Sequence, residues 1–323
     1  MLRFFSFLFL IVTVTSGAWA GDPLPWANPW DVGMDYEFVN KAYAEVAKSV
    51  GAGAAPGAVG LVIKDGYIVA RRAIGNMQTH LIRRDSDDDL EYVPFSDRML
   101  EETIFDLASI TKMVSTTTAI MMLVEQGKIG LDDPVVKHIP TFGARAKDKV
   151  TVRHLLTHSS GLPSWFPFYQ LYIDREDVYR AIDEDIALAS PPGEKRNYSD
   201  LGFILLGRLV ETASGRRLDR FAEDNIFKPL GMNDTGYLPR IQERLRTAPT
   251  EYDPMRDQVL KGIVHDENTQ VMGGVSGHAG LFSTVNDMAI FAQMLLNRGE
   301  WKGMRILKEA TIQTMLTPQL PGK

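Results

Sequence analysis

Ser109-Ile110-Thr111-Lys112 sets a hydroxyl and an amine three residues apart, on one face of any helix that begins there. A serine beside an amine able to take its proton is an activated nucleophile. The pair stands where Phe105-Asp106-Leu107 leads into a long apolar stretch, so a helix start would add its dipole and a free backbone N–H for an oxyanion. The spacing alone supports a second reading as well, with Ser109 as an N-cap and Lys112 as a surface residue whose stem lies along the helix. Tyr198-Ser199-Asp200 follows the turn-forming Pro191-Pro192-Gly193 and offers a third group. A phenol held beside the amine could relay the Ser109 proton to a leaving group. Tyr198 could also be the hydrophobic staple of a helix capped by Ser199 or Asp200, and the two roles are compatible.

The elements that must position these groups follow from hydrophobic periodicity. Ile110 to Gln126 is apolar on nearly every face and ends at Gly127, which predicts a buried central helix with a glycine C-cap. Tyr36 to Val50 has amphipathic helical spacing, and further helices are predicted at 152–156, 201–213, 218–226 and 285–297. Thr284 and Asp287 have capping-box spacing at the start of the last. Val59 to Ile63 and Tyr67 to Ala73 flank Asp65-Gly66, a hairpin signal. Two strands cannot form a stable sheet alone, so more strands are owed. Strands first and helices after predict an α+β fold rather than a parallel sheet.

The chain has 323 residues, no cysteine and a net charge of −6 from 35 basic and 41 acidic residues. Dispersed charge of this sign argues against a nucleic-acid partner. The absence of cysteine excludes disulfides, a lipidated cysteine, a thiol nucleophile and Cys-ligated zinc. Residues 1–20 read as a signal peptide: Arg3 is the positive start, Phe4 to Thr13 the apolar core, and Ala18-Trp19-Ala20 the cleavage site. Cleavage after Ala20 leaves a secreted or periplasmic protein spanning 21–323, with no later stretch long enough to cross a membrane. The acidic run Asp85 to Glu91 reads as a solvated loop. Trp165, Phe166, Phe168, Tyr169 and Tyr172 form an aromatic cluster ahead of Tyr198 that serves as a lid or as core. His154 and His158 lack the intervening Glu of H-E-x-x-H and are read as structural. No role is read for His265-Asp266-Glu267.

Together these segments resemble the serine β-lactamase and D-alanyl-D-alanine carboxypeptidase superfamily, in its class C-like branch with related esterases. The likeness runs from about Pro56 onward. It includes Val150-Thr151-Val152-Arg153-His154-Leu155-Leu156-Thr157-His158-Ser159-Ser160-Gly161-Leu162-Pro163, Pro191-Pro192-Gly193, Pro229-Leu230-Gly231-Met232 and Gly280-Leu281-Phe282-Ser283-Thr284. The resemblance implies an antiparallel sheet flanked by helices with an inserted, mostly helical subdomain. It makes Ser109 the acylated nucleophile, Lys112 its proton acceptor and Tyr198 the proton relay, with no metal or organic cofactor.

Two departures qualify it. Asp200 stands where the family more often has Asn, and a carboxylate there pairs with charged Lys112 and repels a substrate carboxylate. No Lys-Thr-Gly or His-Thr-Gly strand occurs before Lys323, so the C-terminal strands are expected beyond it, and residues 21–323 alone are expected to be insoluble or inactive. His278-Ala279-Gly280 is not that motif, because the residues after it match an earlier family segment; His278 is retained as a weak pocket-lining candidate. The implied substrate is a small molecule or a peptidoglycan-derived D-amino-acid peptide, amide or ester. The rival reading is a non-catalytic protein of the same fold that binds cell-wall peptides. A Ser-His-Asp hydrolase is disfavoured because no G-x-S-x-G elbow occurs.

Overall fold

The computed structural model describes residues 21–320. The expected signal peptide and its cleavage site lie outside the described residues. Helix α1 (Tyr36–Gly51), capped by the Asp35 carboxylate, precedes an antiparallel sheet of β1 (Gly57–Lys64), β2 (Tyr67–Arg84) and β3 (Leu90–Arg98) in that order. Asp65 and Gly66 both take positive φ at the first hairpin, as a tight turn between twisted strands requires. Val39 and Tyr43 of α1 pack with Ala70 against one face of the sheet. No helix among the described residues is long and apolar enough to cross a membrane.

The sheet is larger than the sequence pattern predicts. Strand β2 continues to Arg84, and the acidic run is a hairpin turn leading into β3 rather than a free loop. Asp85 Oδ1 accepts the N–H groups of Asp87 and Asp89, while Arg83 pairs with Glu91 across the ladder. Most of β3 is exposed, so it carries no alternating apolar signal; cross-strand pairing and the Asx turn define it instead.

A second antiparallel sheet joins β4 (Phe105–Asp106) to the strand Leu281–Ser283 and then to Gly236–Tyr237. This small sheet brings the segment just before Ser109 beside residues 276–283, although about 170 residues separate them in sequence. The mainly helical stretch between them holds the large core, in which Ile120, Leu123, Leu155, Phe168, Ile182, Leu201, Leu205 and Phe227 are all fully buried.

The predicted central helix is composite. A 3₁₀ turn at Ala108–Ile110 passes into a wide π turn at Lys112–Thr117 and then into α2 (Thr118–Glu125). It is not apolar on every face: Lys112, Ser115, Thr116 and Thr118 are buried, while Ile110 and Met113 are exposed. The hydroxyls explain the widening, since Thr118 Oγ1 donates to the Met113 carbonyl five residues back and competes with the regular ladder. Helices α3 (Val152–Leu156), α4 (Arg175–Arg180) and α5 (Asp200–Ser214) follow, and the first and third agree with prediction within a residue.

The helix Val285–Leu296 is capped by Thr284, whose side chain accepts the Asp287 N–H at 3.3 Å. Asp287 itself is buried and accepts from Thr235 Oγ1 and the Asp234 N–H. Burial pushes its carboxyl up to about 6, against those donors and with help from the Asp234 charge. The folded protein therefore keeps this proton up to about pH 6, whereas the unfolded chain releases it near the ordinary value of 3.8. Stability is gained as pH falls from 6 toward 4, and the full penalty is present above 6. Asp287→Asn should thus stabilise the protein, relative to wild type, by about 1–2 kcal/mol more at pH 8 than at pH 5. Urea unfolding of both proteins at the two pH values checks this, and a pH-independent difference would refute it.

Candidate active site

Ala108 takes a left-handed φ of 44°, a costly conformation for a residue with a Cβ. Asp106 holds it there: one carboxylate oxygen accepts the Ala108 N–H at 2.8 Å and the other accepts the His265 N–H at 2.8 Å. Burial raises the Asp106 carboxyl above its ordinary range despite both donors. The 3₁₀ turn that follows takes its bonds from Ile110 to the Leu107 carbonyl and from Thr111 to the Ala108 carbonyl. The Ser109 N–H stands outside that turn pattern, as the oxyanion reading requires.

Ser109 is exposed, and Lys112 beneath it is only 3% exposed. The Lys112 ammonium donates to Ser109 Oγ at 2.8 Å and to the His278 carbonyl at 3.0 Å. Asp200 Oδ1 lies 2.8 Å from the same nitrogen. That oxygen lacks hydrogen-bond geometry to any donor, so its contact with Lys112 is Coulombic rather than a directed hydrogen bond. The rings of Tyr198 and Phe203 face the nitrogen at 4.8 and 5.9 Å, within the range of cation–π attraction. The cation is buried but enclosed by partners.

Ser109, Lys112, Tyr198 and Asp200 thus converge from two helix starts. Ser199 caps α5 by accepting the Gly202 N–H and also donates to the Pro163 carbonyl at 2.6 Å. Asp200 N–H reaches the Ser164 carbonyl, which ties this helix start to the family-like segment. Tyr198 meets Lys112 through its ring face and is 47% exposed.

His278 differs from the pocket-lining role considered for it. Its side chain is 1% exposed, with Nε2 at 2.8 Å from Asp266 Oδ1 and Nδ1 at 2.8 Å from Ser276 Oγ. Its carbonyl, not its imidazole, reaches the site. Asp266 is thereby assigned a place: burial would raise its carboxyl, but His278 and the Thr269 N–H outweigh this and hold it below the usual range. The aromatic cluster is divided, since Phe168 is fully buried whereas Trp165 is 47% exposed. Phe168 is core, and Asn268 anchors the loop by accepting from the Tyr169 N–H and donating to the Phe166 carbonyl.

Asp106, Thr111, Thr116 and Gly277 carried no sequence signal. Thr111 Oγ1 accepts the Leu281 N–H, and Thr116 Oγ1 donates to the Gly277 carbonyl at 2.7 Å. These bonds register the nucleophile helix against residues 277–281. A cavity of about 980 Å³ bordered by Asp234, Arg246, Asn286, Asp287 and Trp301 lies elsewhere, and none of the four site residues lines it.

The sequence family described as Beta-lactamase matches residues 43–323. The chain is 36% identical over 293 residues to an N-acetylmuramyl-L-alanine amidase of Bacillus subtilis, covering 81% of this chain and 64% of that protein. It is 32% identical over 313 residues to a provisionally named D-alanyl-D-alanine carboxypeptidase of Salmonella schwarzengrund, covering 88% and 70% of the two chains. An octameric penicillin-binding protein homologue from Pyrococcus abyssi superposes with a TM-score of 0.65 at 28% identity, over 88% of this chain and 62% of that one. The chain therefore spans under two thirds of the length of the amidase and of the archaeal protein.

The 277–281 segment approaches α5 so closely that a Cβ on Gly277 would lie 2.0 Å from the Phe203 carbonyl oxygen and 2.8 Å from the Gly207 nitrogen. Either backbone could yield only by moving a partner of Lys112, the His278 carbonyl on one side or Asp200 and Phe203 on the other. Gly277→Ala should lower the unfolding free energy by about 1–3 kcal/mol, read as an earlier urea midpoint with an unchanged slope. A midpoint equal to wild type would show that the contact is slack.

Proposed function

Because the chain belongs to the β-lactamase family of serine hydrolases, we propose that it is an exported enzyme that works through an acyl-Ser109 intermediate on D-amino-acid peptides, amides or esters derived from the cell wall. The observation that carries this reading is the 2.8 Å contact between Lys112 Nζ and Ser109 Oγ at a buried helix start. The reactive form carries Lys112 as the free amine, its extra proton released to solvent; Ser109 Oγ then attacks the carbonyl carbon as the hydroxyl proton passes to that amine, and the Ser109 N–H faces the developing oxyanion. The proton taken up by Lys112 then passes to the departing amine or alcohol, with the hydroxyl of Tyr198, whose ring lies over Lys112, as the proposed relay: it gives its own proton to the leaving group and takes one from Lys112. Water then attacks the acyl-enzyme, and Ser109 recovers its proton. The names of the relatives, an amidase and a carboxypeptidase, favour peptidoglycan-derived substrates.

In the full-length protein, a fluorophosphonate probe should label Ser109, and Ser109→Ala should abolish labelling and cut ester turnover by several orders of magnitude. Turnover by the variant within tenfold of wild type would overturn the assignment. Wild-type protein that resists the probe yet binds cell-wall peptides would instead be a non-catalytic binding protein.

Asp200 shapes the choice of substrate. Its carboxylate sits at the Lys112 nitrogen, where a penicillin-like substrate would bring its own carboxylate. Removing about 1.4 kcal/mol of repulsion corresponds to a tenfold change, so Asp200→Asn should be acylated by a fluorescent penicillin about tenfold faster than wild type. Equal or slower acylation in stopped-flow would remove the electrostatic argument.

A further inference from the structure

His158 brackets Tyr198 from both sides along the chain. Its carbonyl accepts the Asn197 N–H at 2.7 Å, and its Nδ1 accepts the Ser199 N–H at 3.1 Å. Between these two bonds the imidazole lies on the Tyr198 ring, with centroids 4.4 Å apart and planes tilted by 32°. On another side it meets Phe203 at 5.1 Å. Tyr198 and Phe203 are the two rings that face the Lys112 nitrogen, so the imidazole is in contact with both. The residue reaches this place through a left-handed backbone, φ 57°, at the end of α3.

We propose that His158 is a positioning residue for Tyr198, holding the phenol ring over Lys112 through one backbone hydrogen bond on each side and through ring contact. It is not an acid or base in the reaction, because accepting the Ser199 N–H occupies Nδ1 and leaves the single proton on Nε2. Protonation of Nδ1 would set two donors against each other. Burial, reinforced by the positive charges of Lys112 and Arg196, pushes the imidazole down to about 4, which keeps Nδ1 an acceptor at neutral pH.

This inference rests on the acyl-enzyme reading for its kinetic consequence but not for its geometry. His158→Asn retains a side-chain acceptor and tolerates positive φ but removes the ring; His158→Phe retains a ring and removes the acceptor. Using p-nitrophenyl acetate as probe and fluorophosphonate to titrate competent Ser109, both variants should lose about 10- to 100-fold in kcat per titrated site, as displaced catalytic groups do. KM should stay within about twofold. In a Tyr198→Phe background the same substitutions should cost little more, because the effect passes through Tyr198. Unchanged kcat per titrated site, or a full additional loss in the Tyr198→Phe background, would overturn the proposal. A readout independent of turnover is the ring resonance of Tyr198 in protein carrying ¹³C-labelled tyrosine, which should shift in His158→Asn. If the wild-type chain is not labelled by fluorophosphonate, the acyl-enzyme reading fails while this resonance still decides the positioning role: a shift supports it and an unmoved signal overturns it.

Discussion

Placing one ammonium group inside an apolar helical core is the constraint from which the rest of the site follows. An unpaired buried charge costs several kcal/mol or more, so Lys112 must bring its partners with it. It has them on several sides: Ser109 Oγ, the His278 carbonyl, the Asp200 carboxylate and two aromatic faces. These partners come from three separate stretches of chain. The fold is thus obliged to close the start of the central helix, the start of α5 and the 276–281 segment around a single nitrogen.

That obligation explains features that look unrelated in sequence. Gly277 and Gly207 admit the backbone-to-backbone approach that brings the His278 carbonyl into range. Thr111 and Thr116 tie the same segment to the nucleophile helix with side-chain bonds, and Tyr237 adds another by donating to Ser115 Oγ at 2.9 Å. The run of hydroxyl residues that makes these bonds also widens the helix into a π turn. Strain at Ala108 is supported in the same way by Asp106, whose carboxylate makes two charge-assisted bonds in a buried setting. Stability is spent locally on geometry, in keeping with the pattern of functional sites.

Much of this was legible from spacing. The three-residue interval between Ser109 and Lys112, the Tyr198-Ser199-Asp200 triplet and the Asp65-Gly66 turn are local signals, and the structure brings the first two together as expected. Helices whose caps are written in sequence, such as Thr151 ahead of α3 and Thr284 ahead of 285–296, appear within a residue of their predicted bounds. What escaped was non-local or carried by backbone. The exposed β3 has no apolar alternation to betray it. The contribution of His278 lies in its carbonyl, which any residue would possess, and the π turn is marked by a side-chain-to-backbone bond, Thr118 to Met113, that apolar periodicity does not reveal. Tyr198 is the intermediate case: its motif marked the position, but only the packing shows that it approaches Lys112 with its ring face.

The charge arrangement adds a last step. Lys112 is the buried cation at the centre of the site, while Asp106, Asp200 and Asp266 are carboxylates on the segments that enclose it. Asp266 is taken up by its contact with the His278 imidazole, and Asp106 is turned into the backbone by Ala108 and His265. Asp200 alone sets its carboxylate at the Lys112 nitrogen, 19% exposed along its side chain and without a hydrogen-bond donor on that oxygen. That oxygen is itself enclosed beside the cation, so any exposed part of the side chain belongs to a carboxylate already paired with Lys112. Asp200 is therefore the residue on which the proposed discrimination against anionic substrates rests, because among these three carboxylates only its charge lies at the Lys112 nitrogen.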